Sequence, residues 1–153
     1  MEREPLWKLL KHYGIPGKII TLIQRTYEGM SCRVVHRGLL SDCFNVRTGV
    51  RQGCLPSPFM FLLVIDWIMR TTTEGKKNGI QWTPWTQLGD LGFADDLALL
   101  CHNHDQMPGT ATGLTATSER TGLKINRGKS KVLRINTRSL TLAVLLTKKE
   151  VQM

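Results

Sequence analysis

The sequence predicts an α+β fold, and three patterns lead there. Apolar residues recur at helical spacing before Gly29, and a continuous apolar segment follows Ser57-Pro58. From Leu88 onward the pattern changes to a period of two, which is the signature of strands. Helical periods early and strand periods late are the arrangement of an α+β protein. The chain has 153 residues, 41% of them hydrophobic, which suits one domain able to bury a real core.

The first helix is expected from Glu4-Pro5, since proline is tolerated in a first turn. Leu6, Leu9, Leu10 and Tyr13 form its stripe, and Gly14 stops it. Lys18 to Glu28 follows as a second helix, apolar at Ile19, Ile20, Ile23 and Tyr27. Cys32 to His36 and Cys43 to Arg47 read as two short strands joined through Arg37-Gly38-Leu39-Leu40, with a basic surface from Arg33, Arg37, Arg47 and Arg51. Thr48 to Cys54 is a glycine-punctuated loop. Ser57 as N-cap and Pro58 in the first helical position then open a helix to about Arg70, apolar nearly all round and so expected to be buried on most faces. Asp66 within it needs a partner or a place at the helix edge. A turn is expected at Lys76-Lys77-Asn78-Gly79. Residues Leu88 to Phe93 and Leu97 to Leu100 form a hairpin with Ala94-Asp95-Asp96 at the bend. Residues 103–122 favour a helix only after Pro108, and a weak one, because Pro108, Gly109 and Gly113 are poor helix formers. Gly122 to Asn126 and Lys131 to Asn136 read as strands around a turn at Arg127-Gly128-Lys129-Ser130. Leu140 to Leu146 is apolar without an evident partner, and the tail around Lys148-Lys149 is expected to fray. The domain is therefore set at 1–138, with 139–153 an unassigned tail.

Charge narrows the function. The net charge is +9, divided as +5 over residues 1–53, −3 over 54–108 and +7 over 109–153. An acidic middle between basic flanks suits a carboxylate metal site inside a surface that binds a polyanion. The four cysteines lack the close pairing of a zinc site, and Cys101-His102-Asn103-His104 has no second pair of ligands beside it. No secretory signal is evident, so free thiols and an intracellular place, nuclear or cytoplasmic, are the default. The apolar run Pro58 to Met69 is too short to span a bilayer.

Two motifs invite a chemical reading. Gly128-Lys129-Ser130 resembles the end of a phosphate-binding loop, but Gly122 precedes Gly128 by five intervening residues where four are required. The second is a set of three parts in order. Arg51-Gln52-Gly53 before the Ser57 helix is a small-residue loop that a nucleotide or template backbone can approach. Asp95-Asp96 is a carboxylate pair at a bend, suited to hard cations such as Mg²⁺, although Asp is also an ordinary turn residue. Lys129 and Lys131 supply cations for phosphates. Together these are the parts of two-metal nucleotidyl transfer.

With those residues in place the chain resembles the palm of reverse transcriptases from non-LTR, LINE-type retrotransposons. The matching segments are Leu6-Trp7-Lys8-Leu9-Leu10 with Tyr13-Gly14-Ile15-Pro16, then Gly49-Val50-Arg51-Gln52-Gly53-Cys54 with Ser57-Pro58. Phe93-Ala94-Asp95-Asp96 and Gly122-Leu123-Lys124-Ile125-Asn126 complete the series, in the family's order from Glu4 to Asn136. The resemblance implies a palm-like antiparallel sheet with helices packed on one face, as part of an incomplete polymerase domain. It implies RNA-directed DNA synthesis on an RNA template and DNA primer, from deoxynucleotides, with Mg²⁺ or Mn²⁺. Asp95 and Asp96 match the catalytic, metal-binding pair. Arg51, Gln52, Gly53, Ser57, Phe93 and Ala94 match positions that meet nucleotide and template, and Lys129 or Lys131 the lysine that assists pyrophosphate departure.

Several departures shape the expectation. In the family another metal-binding Asp precedes the Leu6-Trp7 helix, and none stands before Leu6 here. The fingers and thumb regions are likewise expected outside these residues. Pro56 replaces an apolar residue, Gly89 and Gly92 loosen the strand before the aspartates, and Pro108-Gly109 interrupts a segment that is helical in the family. The chain alone is therefore expected to be inactive. Two alternatives stay open: a non-catalytic basic module that binds nucleic acid, and a poorly folded retrotransposon remnant with an exposed sheet edge.

Overall fold

The computed structural model describes residues 1–75, 79–94, 96–137 and 140–150, with side chains described as far as residue 133, His104 excepted. The first two helices form where the apolar stripes place them. Helix α1 (Arg3–His12) buries Leu6, Leu9 and Leu10 and carries Lys11 in its last turn, where a cation suits the helix dipole. Helix α2 (Gly17–Tyr27) buries Ile20 and Tyr27.

The basic hairpin is more elaborate than two strands. Strand β1 (Ser31–Cys32) pairs with β4 (Phe44–Asn45), and inside them β2 (Val35–His36) pairs with β3 (Leu39–Leu40). Arg37 and Gly38 link the inner pair at φ of 49° and 78°, the left-handed pair that a two-residue hairpin loop requires.

Helix α3 (Pro56–Thr73) starts earlier than expected. Pro56 rather than Pro58 lies in the first position, Leu55 caps it without a side-chain bond, and Ser57 is not the N-cap. Its hydroxyl points inward instead, 3.3 Å from the Tyr27 hydroxyl. Burial on most faces is also corrected: Met60, Val64, Ile65, Ile68 and Met69 are buried, while Phe59 and Leu62 are more than half exposed. Asp66 does find partners, accepting from the Tyr13 hydroxyl at 2.5 Å and pairing with Arg70 at 2.9 Å.

A small hairpin, β5 (Ile80–Gln81) with β6 (Gln87–Leu88), leads into the main sheet. The expected turn at Lys76-Lys77-Asn78 lies outside the described residues. Strands β7 (Asp90–Phe93) and β8 (Asp96–Cys101) are antiparallel with Phe93 opposite Asp96, so Asp96 belongs to the strand and not to the expected Ala94-Asp95-Asp96 bend.

Helix α4 (Met107–Arg120) forms in the expected segment but begins at Met107, before Pro108 rather than after it. Pro108 sits in the first turn, where its missing N–H costs no hydrogen bond. Burial of Met107 and Leu114, with packing on α3 and β8, outweighs the poor propensity of Gly109 and Gly113. Strand β9 (Lys124–Ile125) and β10 (Lys131–Thr137) occur near the expected places, but neither pairs with the other.

Both pair instead with β11 (Leu140–Glu150), and this corrects the partnerless, fraying tail. β11 lies between β10 and β8, so the main sheet runs β10-β11-β8-β7 with β9 joined at the far end of β11. The register sets Leu146 between Lys131 and Ala98, and Lys148 opposite Asp96. Leu6, Leu10, Val64, Ile68, Leu99 and Leu114 belong to one core, which ties α1, α3 and α4 to β8.

Candidate functional site

The Asp turn is built by a strand pairing that leaves no slack. Closing Phe93 against Asp96 gives a two-residue connection, and such loops need φ above zero at their first residue. Ala94 meets that need at φ 52°, a conformation unusual for a residue with a Cβ. Asp96 follows as the first residue of β8, exposed, while the next residue, Leu97, is buried. The strand alternation thus anchors the hairpin through Leu97 and Leu99 and leaves the carboxylate outside. Phe93 is 83% exposed beside it. Asp95 lies outside the described residues.

The lysine segment converges on the same end of the sheet. Asp96 is level with Lys148 on β11, and two residues further along β11, Leu146 faces Lys131 on β10. Two strand spacings across and two residues along separate the Cα positions of Asp96 and Lys131 by about 12 Å. The turn before Lys131 is fixed by Asn126, whose side chain accepts from the Lys129 N–H at 3.2 Å and whose carbonyl accepts from the Ser130 N–H at 3.1 Å. Asn126, the last residue of the Gly122 segment, is thus what shapes the lysine turn. Lys129 and Lys131 are both exposed.

The Arg51-Gln52-Gly53 segment is a tight turn tied to the helices. The Cys54 N–H donates to the Arg51 carbonyl at 3.3 Å, and Gly53 has φ 76°. A left-handed third residue after an ordinary second one is a type II turn, which is why glycine stands there. Gln52 occupies its apex, and all three residues are exposed. Ser57 is different, being 4% exposed and bonded to Tyr27, so it acts on this turn from beneath.

Gly122 opens the last motif for a steric reason. Its φ is 69°, and a Cβ there would lie 2.7 Å from the Glu2 backbone nitrogen. Only glycine lets residues 1–2 pass this close, where the Glu2 N–H donates to the Thr121 carbonyl at 3.0 Å and the Met1 carbonyl accepts from Gly49 at 2.8 Å. The chain start therefore straps the loop before Arg51 to the turn before Leu123.

Three residues with a part in this arrangement were not singled out from sequence as functional: Arg3, Tyr27 and Lys148. Arg3 reaches carbonyls at positions 27, 46 and 49, a long-range pattern without a local signal. Lys148 takes its place opposite Asp96 only through the β8–β11 register.

Electrostatics differ between the exposed turn and the covered side. Asp90, at the other end of β7 from the turn, has its carboxyl pushed up, first by burial and then by the charge of Asp66. Tyr13 is pushed up to about 12 by burial and by its bond to the Asp66 carboxylate. These groups form a half-buried polar cluster away from the bend. Among the described residues, no three His, Cys, Asp or Glu side chains gather closely enough to hold a metal. No helix among them is long and apolar enough to cross a membrane.

Comparison with known proteins gives these residues a context. The chain is 32% identical over 133 residues to the Pol polyprotein of the type-2 retrotransposable element R2DM of Drosophila melanogaster, covering 81% of this chain and 11% of that polyprotein. It is 27% identical over 122 residues to the Pol polyprotein of the type-1 retrotransposable element R2 of Popillia japonica, covering 80% of this chain and 20% of the relative. The chain thus spans only a tenth to a fifth of the length of these two relatives. The family model for reverse transcriptase (RNA-dependent DNA polymerase) matches residues 1–152, from the strap through the last strand of the sheet. The segments that fold around the Asp turn are the body of that match, and the chain belongs to the reverse transcriptase family.

Proposed function

We propose that this chain carries the Asp-Asp part of a two-metal nucleotidyl-transfer centre, within an RNA-directed DNA polymerase of retrotransposon origin. The observation that supports it most is the β7–β8 hairpin: its register and the left-handed Ala94 hold Asp96 outward at a tight bend, level with the lysine end of the sheet. The donors are hard carboxylate oxygens, which fit Mg²⁺ or Mn²⁺. Asp95 and Asp96 would hold such ions, and a bound ion would activate the primer hydroxyl and neutralise charge on the phosphates.

The chain's own residues supply the remainder. The Gln52 apex of the type II turn meets the incoming deoxynucleotide and the template, with Arg51 beside it to pair with phosphate. Phe93 offers an exposed ring against which a base or sugar packs. Lys129 and Lys131 hold the departing pyrophosphate, and either can donate its proton. A third carboxylate belongs to the reaction in the family, and residues 1–5, Met-Glu-Arg-Glu-Pro, hold no Asp. In this reading the 153 residues alone bind but do not polymerise.

The test is Mn²⁺ binding followed by electron paramagnetic resonance, together with primer extension on an RNA template. Asp95→Asn and Asp96→Asn should each weaken Mn²⁺ uptake severalfold, and no extension should occur with the wild-type chain. Unchanged uptake in both variants would refute the metal centre. Extension that Asp95→Asn abolishes would refute inactivity and establish catalysis.

The charge of +7 over residues 109–153 favours one second reading, a non-catalytic module for nucleic acid. It requires affinity that falls steeply with salt, is indifferent to Asp95→Asn, and drops on charge reversal at Arg127, Lys129 and Lys131. Affinity that stays flat between low and moderate salt would exclude it.

A further inference from the structure

Tyr27 joins several of the motif-bearing elements while lying outside the motifs themselves. It ends α2, and its backbone carbonyl is one of the carbonyls a helix C-terminus leaves without an internal partner. Arg3 satisfies it at 3.2 Å and also donates to the Val46 carbonyl at 2.9 Å and the Gly49 carbonyl at 3.4 Å. The same guanidinium lies 4.9 Å above the Tyr27 ring, and Trp7 packs against the ring at 5.9 Å. A planar fork with five donors can bind three carbonyls and stack at once, which an ammonium cannot do.

The far end of the ring reaches the turn. The Tyr27 hydroxyl accepts from the Arg51 backbone N–H at 3.2 Å and lies 3.3 Å from the Ser57 hydroxyl. Arg51 opens the type II turn and Ser57 lies in the helix that follows it, so one phenol oxygen holds both sides of the turn. Gln52 and Gly53, between those anchors, project into solvent.

We infer that Arg3 and Tyr27 are positioning residues, which set the Arg51-Gln52-Gly53 turn in the orientation that meets nucleotide and template. The inference rests on the function proposed above for that turn. Arg3 fixes Tyr27, Tyr27 fixes the Arg51 amide, and the turn carries the contact.

Tyr27→Phe tests this with little disturbance, because it keeps the ring, its packing and the stacked guanidinium, and deletes one oxygen. Two measurements on the 153-residue chain read the outcome: amide hydrogen exchange over residues 50–54, and affinity for an RNA-template/DNA-primer duplex with a bound deoxynucleotide. Tyr27→Phe should speed exchange of the Arg51 amide about fivefold, the loss expected for one hydrogen bond, with α1 amides unchanged. Duplex affinity should fall about threefold to tenfold, converting the same range. Arg3→Lys should behave like Arg3→Met, since the fork and not the charge is required. Adding Tyr27→Phe to an Arg51→Ala, Gln52→Ala double variant should cost no further affinity, which a general loss of stability would not reproduce.

Unchanged exchange at Arg51 in Tyr27→Phe would overturn the inference, whatever the chain binds. Accelerated exchange with wild-type duplex affinity would overturn it as well. A wild-type chain that binds no duplex would instead refute the function assigned to the turn, and the exchange data would still decide whether Tyr27 holds it.

Discussion

Replacing Ala94 by glycine should stabilise the protein, and the reason lies in one dihedral angle. Ala94 has φ 52°, where the Cβ of an L-residue crowds its own backbone at a cost of about 1–2 kcal/mol. Glycine avoids that cost but loses more freedom on folding, about 0.4–1 kcal/mol. The difference favours glycine by roughly 0.8 kcal/mol. No packing offsets it, because the Ala94 side chain is exposed. For a domain of this size the gain corresponds to about 2–3 °C in Tm. Thermal and urea melts followed by far-ultraviolet circular dichroism would measure it. Ala94→Val should move the other way, since a branched Cβ fits the left-handed region worse than alanine does. A glycine variant no more stable than wild type, or a valine variant equal to it, would refute the tight left-handed bend on which the carboxylate geometry depends.

Three further outcomes follow from other parts of the fold. Gly122→Ala should destabilise by about 2 kcal/mol or more in a urea melt, because a Cβ meets the Glu2 backbone at 2.7 Å and φ is 69°. Asp90→Asn should raise Tm at pH 7. Folding raises the Asp90 carboxyl above its ordinary value of 3.8, so the charged form is disfavoured in the fold. The stability gap between variant and wild type should then narrow as the pH falls through the raised value towards 3.8, and a gap constant with pH would refute the burial argument. Ending the chain after Thr137 removes β11 and leaves β8 and β10 without their shared partner. Such a chain should lose its cooperative melt and aggregate on size-exclusion chromatography, and a sharp transition near the full-length Tm would refute the central place of β11.

Local signals made part of this structure legible. Leu6, Leu9 and Leu10 repeat at helical spacing with stops behind them, so α1 needs no distant partner to be recognised. The Asp hairpin is equally local, since two alternating runs around a polar bend leave few other arrangements. Ser57-Pro58 misled because the helix begins with Pro56, and the serine hydroxyl is claimed by Tyr27, thirty residues earlier in the chain. Helix α4 was hidden by its composition: threonines and glycines say little about helicity, and burial of Met107 and Leu114 supplies what propensity lacks. β11 was hidden for the opposite reason. Leu140 to Leu146 is plainly apolar, but the pairing of its later residues with Ala98 to Cys101 spans more than forty residues, and nothing local names the partner. The Arg3 fork is of the same kind. The residues of the candidate site are proposed from local motifs, whereas the supports around them depend on contacts made far along the chain.

The position of β11 has a consequence for how the protein comes to be. The sheet is not laid down in the order of synthesis: β8 emerges long before the strand that will lie beside it, and β10 emerges shortly before that strand. Until residues 140–150 leave the ribosome, β8 can be covered by α4 and yet remain open along one edge. Pairing β8 with β11 requires closure of a loop of some forty residues, the kind of long-range contact that forms slowly. Slowed translation ahead of residues 140–150 would leave that edge of β8 open for longer, so the rate at which the codons for β11 are read bears on the yield of folded protein.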